Sequence, residues 1–202
     1  MDSLHKLEEM FAHFPGIGPR QARRFVYYLL GKSPAYLKEL TQLIEEIKKA
    51  TKECESCHRF FVEKSVTSSI CSICSDAHRD TSTLMIVARD SDFETIEKSA
   101  VYKGLYFILG GTVPILDKEP EKRIRLKKLL EYVTTKSFKE IILSLNTTPD
   151  GEHTATIVRD ALKKIIDSNT TKITILGRGL STGAELEYAD SETIRNALKN
   201  RN

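Results

Sequence analysis

The chain reads as an α/β protein with an N-terminal helical region and a cysteine-rich segment ahead of a parallel sheet, and three features of its 202 residues carry that reading. Short apolar runs rich in β-formers alternate with helical patterns from Thr83 onward. Four cysteines fall in two close pairs within residues 54–74. The first fifty residues show helical periodicity alone. Strand–helix alternation is the mark of βαβ units, with a mainly parallel sheet and right-handed crossovers.

Leu4, Leu7, Phe11 and Phe14 recur at spacings of three and four, which predicts an amphipathic helix that Pro15 ends. Ala22, Phe25, Val26, Leu29 and Leu30 mark a second helix. Ser33-Pro34 is a start signal for a third, striped by Leu37, Leu40, Ile44 and Ile47. Residues 52–80 are polar, punctuated by cysteines and poor in core-formers, so this segment needs another source of stability. LMIVA (84–88), LYFIL (105–109), EIILSL (140–145) and KITIL (172–176) predict four strands. DFETIEKSA, EKRIRLKKLLEYV and GEHTATIVRDALKKIID predict the helices between them, and SETIRNALK a last short helix capped by Asp190 or Ser191. The expected organisation is a helical region over 1–51, a cysteine-rich finger over 52–80, an α/β domain over 81–178 and a C-terminal segment over 179–202.

No run approaches the length of a membrane span, and the N-terminus, MDSLHKLEEMFAHF, has acids where a secretory signal has an apolar core. A cytoplasmic protein is expected, in which disulfides are a poor use for cysteines. The net charge of +3 is too small to argue for nucleic acid, but its distribution does. Between Glu9 and Glu39 there is no acid, while Arg20, Arg23, Arg24, Lys32 and Lys38 all lie there.

Three constellations carry chemistry. In FPGIGPRQARR, Gly16 and Gly18 leave bare backbone at a turn between two helices, and free N–H groups open the second helix. Arg20, Arg23 and Arg24 follow on its outward face, so the bend and the arginines together suit a phosphate chain, gripped without reading bases. The bland alternative is a helical hairpin with a solvated basic face. The order apolar-Pro-Gly-Ile-Gly resembles the helix-hairpin-helix module of DNA-binding proteins. Next, Cys54 and Cys57, then Cys71 and Cys74, form two C-x2-C knuckles thirteen residues apart, which suits one closed, structural S4 zinc site per chain. Free thiols or an iron–sulfur centre are the alternatives, and His58 and His78 are left out because four thiolates complete the shell. Last, Asp150 and Glu152 open a helix in NTTPDGEHTA. They suit a magnesium ion, or simply the positive end of a helix dipole. GRGLSTG (177–183) has neither P-loop nor dinucleotide spacing.

In this order, FPGIGPRQA (14–22), the paired knuckles, DGEHTA (150–155) and RGLSTGAELEYAD (178–190) make the whole chain similar to the RecR family of bacterial recombination proteins. The resemblance implies that the α/β part is a Toprim domain, and that the chain forms homo-oligomers, dimers or tetrameric rings, able to encircle DNA. It implies DNA contacts at Arg20 and Arg24, zinc on Cys54, Cys57, Cys71 and Cys74, and a mediator role with RecO, and RecF, in loading RecA at single-stranded gaps in DNA repair. Asp150 and Glu152 would then meet a partner protein or magnesium. This sequence departs from the family in the longer loop HRFFVEKSVTSSI between the knuckles, and in Ser181 and Thr182, where proline and valine are usual. Catalytic Toprim domains carry a glutamate just after their first strand; here that position is Ala88, with Asp90 and Asp92 nearby. A non-enzymatic protein is therefore expected, the alternative being a magnesium-dependent Toprim nuclease or primase.

Overall fold

The computed structural model describes residues 2–62, 69–117 and 119–200. The middle of the long loop between the knuckles, residues 63–68, and the last two residues lie outside the described set. The chain divides into two compact units, residues 1–51 and 52–202.

The first unit holds α1 (Ser3–Ala12), α2 (Pro19–Leu30) and α3 (Pro34–Ala50). Asp2 caps α1 by accepting from the Leu4 amide at 2.9 Å. Ser33 caps α3 by accepting from the Tyr36 amide at 3.3 Å, and Pro34 stands where no donor is needed. Ala22 and Val26 are the buried residues of α2, and Phe11 of α1 meets Phe25 edge-on, ring centroids 5.8 Å apart. By contrast α3 has no buried residue, and Leu43, Ile44 and Ile47 are all more than half exposed.

The second unit opens with a two-stranded ribbon, β1 (Thr51–Glu53) and β2 (Phe60–Val62), then a single turn, α4 (Ser72–Ser75). The sheet follows: β3 (Asp80–Val87), α5 (Asp90–Lys98), β4 (Gly104–Ile108), α6 (Pro120–Arg123), α7 (Leu126–Thr134), β5 (Glu140–Ser144), α8 (Pro149–Leu162) and β6 (Lys172–Ile175). A one-turn 3-10 helix (Leu186–Tyr188) and α9 (Ser191–Lys199) end the chain. The four strands run parallel in the order β4-β3-β5-β6, with Leu84 beside both Leu105 and Ile141. All four predicted strands are present.

Alternation sorts the strands into two faces. Leu84, Ile86, Leu105, Phe107, Ile141 and Leu143 face Leu129 and Val133 of α7 and Val158 and Leu162 of α8. Met85, Val87, Tyr106 and Ile108 face Phe93 of α5, with Ile73 of the cysteine segment packed beside them. Among the described residues no helix is long and apolar enough to cross a membrane.

One predicted helix is divided. EKRIRLKKLLEYV has an unbroken helical period, yet Ile124 is extended (φ −133°, ψ 157°) and buried, separating α6 from α7. The Arg125 amide, freed from a helix ladder, donates instead to Leu109 O at 2.8 Å. Burial of Ile124 in the core accompanies this bond and offsets the lost helical turn.

Candidate functional site

β1 delivers Cys54, and the turn after it brings Cys57 back beneath it. The His58 amide donates to Cys54 O at 2.9 Å and the Ser75 amide to Cys71 O at 3.1 Å, so each C-x2-C closes on itself. Cys54, Cys57 and Cys71 are fully buried, Cys74 is half-buried, and Phe61 and Ile73 pack around them. The four sulfurs lie within 4.8 Å of one another. Cys57 and Cys71 Sγ are 3.7 Å apart. Tetrahedral thiolates on zinc, with bonds of about 2.3 Å, stand about 3.8 Å apart, so the cluster fits that ion. Among the described residues this is the single group of three or more histidine, cysteine or acidic ligands close enough to share a metal.

The amide of Cys71 also donates to Cys54 Sγ at 3.3 Å, a bond that steadies a thiolate. Hydrogen bonding from Cys57, Cys71 and Cys74 holds the Cys54 thiol below its ordinary range, while donation to Cys54 pushes Cys57 far above it. Thiols this crowded ionise together only around a cation. Neither neighbouring histidine belongs to the close group of ligands: His58 Nδ1 is 2.7 Å from Glu53 Oε1, and His78 Nδ1 is 3.1 Å from Asp76 Oδ1. An ion held by all four sulfurs would have no open coordination position, so it would supply folding energy rather than a reactive site.

The basic hairpin joins α1 to α2. Gly16 takes φ +76°, a conformation that favours glycine. The Ile17 amide donates to Phe14 O at 3.0 Å, closing the turn, and Gly18 is the N-cap of α2 with no side-chain cap. Apart from the chain neighbours, a Cβ on Gly16 or Gly18 would meet nothing within 4 Å, so the bend is an open stretch of backbone. Arg20, Arg23 and Arg24 are exposed around it. They are not equivalent. Arg23 Nε lies 3.3 Å from Glu8 Oε1, and Arg24 Nη1 donates to Gln21 Oε1 at 3.3 Å. Arg20 has no ion pair among the described residues. Beyond them, Lys32 Nζ lies over the Tyr28 ring, 4.2 Å from its centroid, a pairing the sequence reading did not single out.

The acidic turn sits at the C-terminal ends of the strands. The chain runs from β3 to β4 on one side and then crosses to β5 on the other, so β3 and β5 flank the topological switch point. Ala88 follows β3 there and is buried. Asp90 Oδ1 accepts from the Phe60 amide at 2.8 Å, and Asp92 Oδ2 from the Arg89 amide at 3.0 Å. Both neighbouring acids therefore serve the backbone. After β5, Thr148 caps α8 by accepting from the Gly151 amide at 3.2 Å, with Asp150 and Glu152 in the first turn. Their carboxylates diverge. Asp150 Oδ1 accepts from the Ile115 amide at 3.3 Å, whereas Glu152 Oε1 lies 2.6 Å from Arg178 Nη1. The partners Ile115 and Arg178 are distant in sequence, and no spacing rule announces them.

Residues 82–176 match the Toprim domain family, and residues 179–202 match the family described as RecR, C-terminal. A recombination protein RecR from Ruegeria pomeroyi is 37% identical over 198 residues, covering 98% of this chain and 95% of the relative. One from Bifidobacterium animalis subsp. lactis is 35% identical over 199 residues, with the same coverage of 98% and 95%. One from Cereibacter sphaeroides is 33% identical over 198 residues, again covering 98% and 95%. The open glycine hairpin, the four-cysteine cluster and the parallel sheet thus stand in the order of a known lineage, and the chain belongs to the RecR family.

Proposed function

We propose that this chain is a DNA-binding, non-enzymatic mediator of recombinational repair. Its helix-hairpin-helix bend holds the sugar-phosphate backbone, and with RecO, and RecF, it helps load RecA at single-stranded gaps. The observation that carries the reading is the hairpin: open backbone at Gly16 and Gly18 beside Arg20, which has no carboxylate partner among the described residues. Relatives named as recombination proteins support the repair context. Such contacts release counterions and are blind to base sequence, so affinity falls steeply with salt. Zinc, one per chain, is structural. The apolar face of α3 supports assembly into a homo-oligomer, because a chain alone leaves Leu43, Ile44 and Ile47 in water.

Ala88 supports the absence of cleavage chemistry, since the position just after β3 carries an alanine, which cannot act as acid or base. The test is a salt-titrated binding assay on single-stranded, duplex and gapped DNA, run beside an incubation of gapped DNA with magnesium. Binding with a steep salt slope and intact DNA is the expected result. Cleavage abolished by Asp150→Ala would favour a Toprim nuclease instead.

A further inference from the structure

The metal centre and the acidic turn are joined by a continuous set of bonds through one side chain. Glu53 precedes the first ligand, Cys54. Its Oε1 receives His58 Nδ1 at 2.7 Å, which locks the knuckle, and lies 3.4 Å from Arg125 Nε. Arg125 then clamps the end of β4 twice: its amide donates to Leu109 O at 2.8 Å and its Nη1 to Ile108 O at 3.3 Å. The knuckle reaches the same strand end directly, since Cys57 O accepts from the Ile108 amide at 2.8 Å. The chain leaves β4 at Gly110 with φ +93°, where a Cβ would stand 2.5 Å from Arg125 Nη1. The loop that follows ends on α8. The Val113 amide donates to the buried Thr154 Oγ1 at 2.8 Å, and the Ile115 amide to Asp150 Oδ1 at 3.3 Å.

We propose that Arg125 is a positioning residue that ties loop 109–115, and through it Asp150, to the four-cysteine centre, so that metal occupancy sets the geometry of the acidic turn. A guanidinium is suited to this because it offers separate donors, held in a plane, to Glu53 and to the Ile108 carbonyl. An ammonium at the same place keeps the charge and cannot span both. The coupling is independent of whether the turn receives a partner protein or a cation.

The test uses the full-length, zinc-loaded protein and amide hydrogen exchange. Arg125→Met and Arg125→Lys should each speed exchange at Val113 and Ile115 by about tenfold, the scale of one lost charge-assisted hydrogen bond. Zinc content should stay that of the parent, and Ile86 and Leu143 in the strands should not change. Glu53→Gln should act in the same direction, and the double variant Glu53→Gln/Arg125→Met should exchange no faster than the faster single. Removing zinc with a chelator should speed the loop amides in the parent, and by a smaller factor in Arg125→Met, where the Cys57 carbonyl alone still joins the knuckle to β4. If Arg125→Met loses its strand protection as well, Arg125→Lys and Glu53→Gln decide. Parental exchange at Val113 and Ile115 in those folded variants overturns the coupling, as does a double variant whose effects multiply.

Discussion

Arg23 of α2 is held by Glu8 of α1, their Nε and Oε1 atoms 3.3 Å apart, and this pairing separates three arginines that the sequence presents as equals. The Glu8 carboxylate is largely covered while Arg23 remains mostly exposed, so the pair fastens the two helices and lowers the net charge near the bend. Arg20→Ala and Arg24→Ala should therefore each weaken DNA binding about equally on unrelated sequences. Each should reduce the slope of log affinity against log salt by about one contact. Arg23→Ala should change that slope less. A salt titration by fluorescence anisotropy, on two duplexes of different sequence, checks this; equal slopes for all three variants and the parent would remove the hairpin from the interface.

Metal analysis should return about one zinc per chain, as the four-sulfur geometry requires. Cys57→Ser should abolish that stoichiometry. Its effect should also reach the sheet, because Cys57 O receives the outward amide of Ile108 on edge strand β4. Exchange at Ile108 should rise before exchange at Ile142 in β5. Retention of a full zinc complement in Cys57→Ser would refute the site.

The exposed stripe of α3 predicts assembly. Ile44 is 59% exposed and Ile47 62% exposed, and burying an isoleucine fully contributes about 1.5–3 kcal/mol. Ile44→Glu with Ile47→Glu should lower the mass in solution, measured by light scattering, while helical content is retained. An unchanged mass would place the oligomer contact elsewhere.

Much of this architecture was legible, for identifiable reasons. The strand around Leu84, Met85, Ile86 and Val87 is buried on both faces, so its signal is an uninterrupted apolar run that needs no partner to be read. The metal centre was legible because a C-x2-C fixes two sulfurs by local geometry alone. The division of α6 from α7 was hidden, since Ile124 fits a helical stripe as well as it fits the core. Only the distant Leu109 carbonyl, which receives the Arg125 amide, distinguishes the two. The same holds for Glu8 with Arg23, Glu53 with Arg125 and Glu152 with Arg178. Each joins elements whose proximity is a product of the tertiary fold, so charge pattern along the chain carries no trace of the pairing.

Gly151 has a steric duty. A Cβ there would lie 2.0 Å from the Asn146 carbonyl oxygen, which is backbone and cannot swing aside. Gly151→Ala should cost about 1–3 kcal/mol, typical of overpacking a tight site. The damage should concentrate on the turn that carries Asp150 and Glu152. Chemical denaturation gives the stability, and a variant as stable as the parent would show that the loop after β5 yields freely.

Asp190 gives the C-terminal helix a pH dependence with a defined sign. Its carboxylate accepts from the amides of Glu192 and Thr193, each at 2.9 Å, at the N-terminus of α9. Hydrogen bonds from Thr193, backbone and hydroxyl, with the Glu192 amide, hold its pKa below the ordinary 3.8. A carboxylate whose pKa is lowered on folding stabilises the helix fully above its unfolded value, and the stabilisation disappears as pH falls through the folded value. The Thr193 amide should thus lose protection as pH drops below about 4. Asp190→Asn keeps an acceptor at the cap without the titrating charge, so its Thr193 protection should no longer change across that interval. If parent and Asp190→Asn show the same acid profile at Thr193, the cap is not what governs the acid stability of α9.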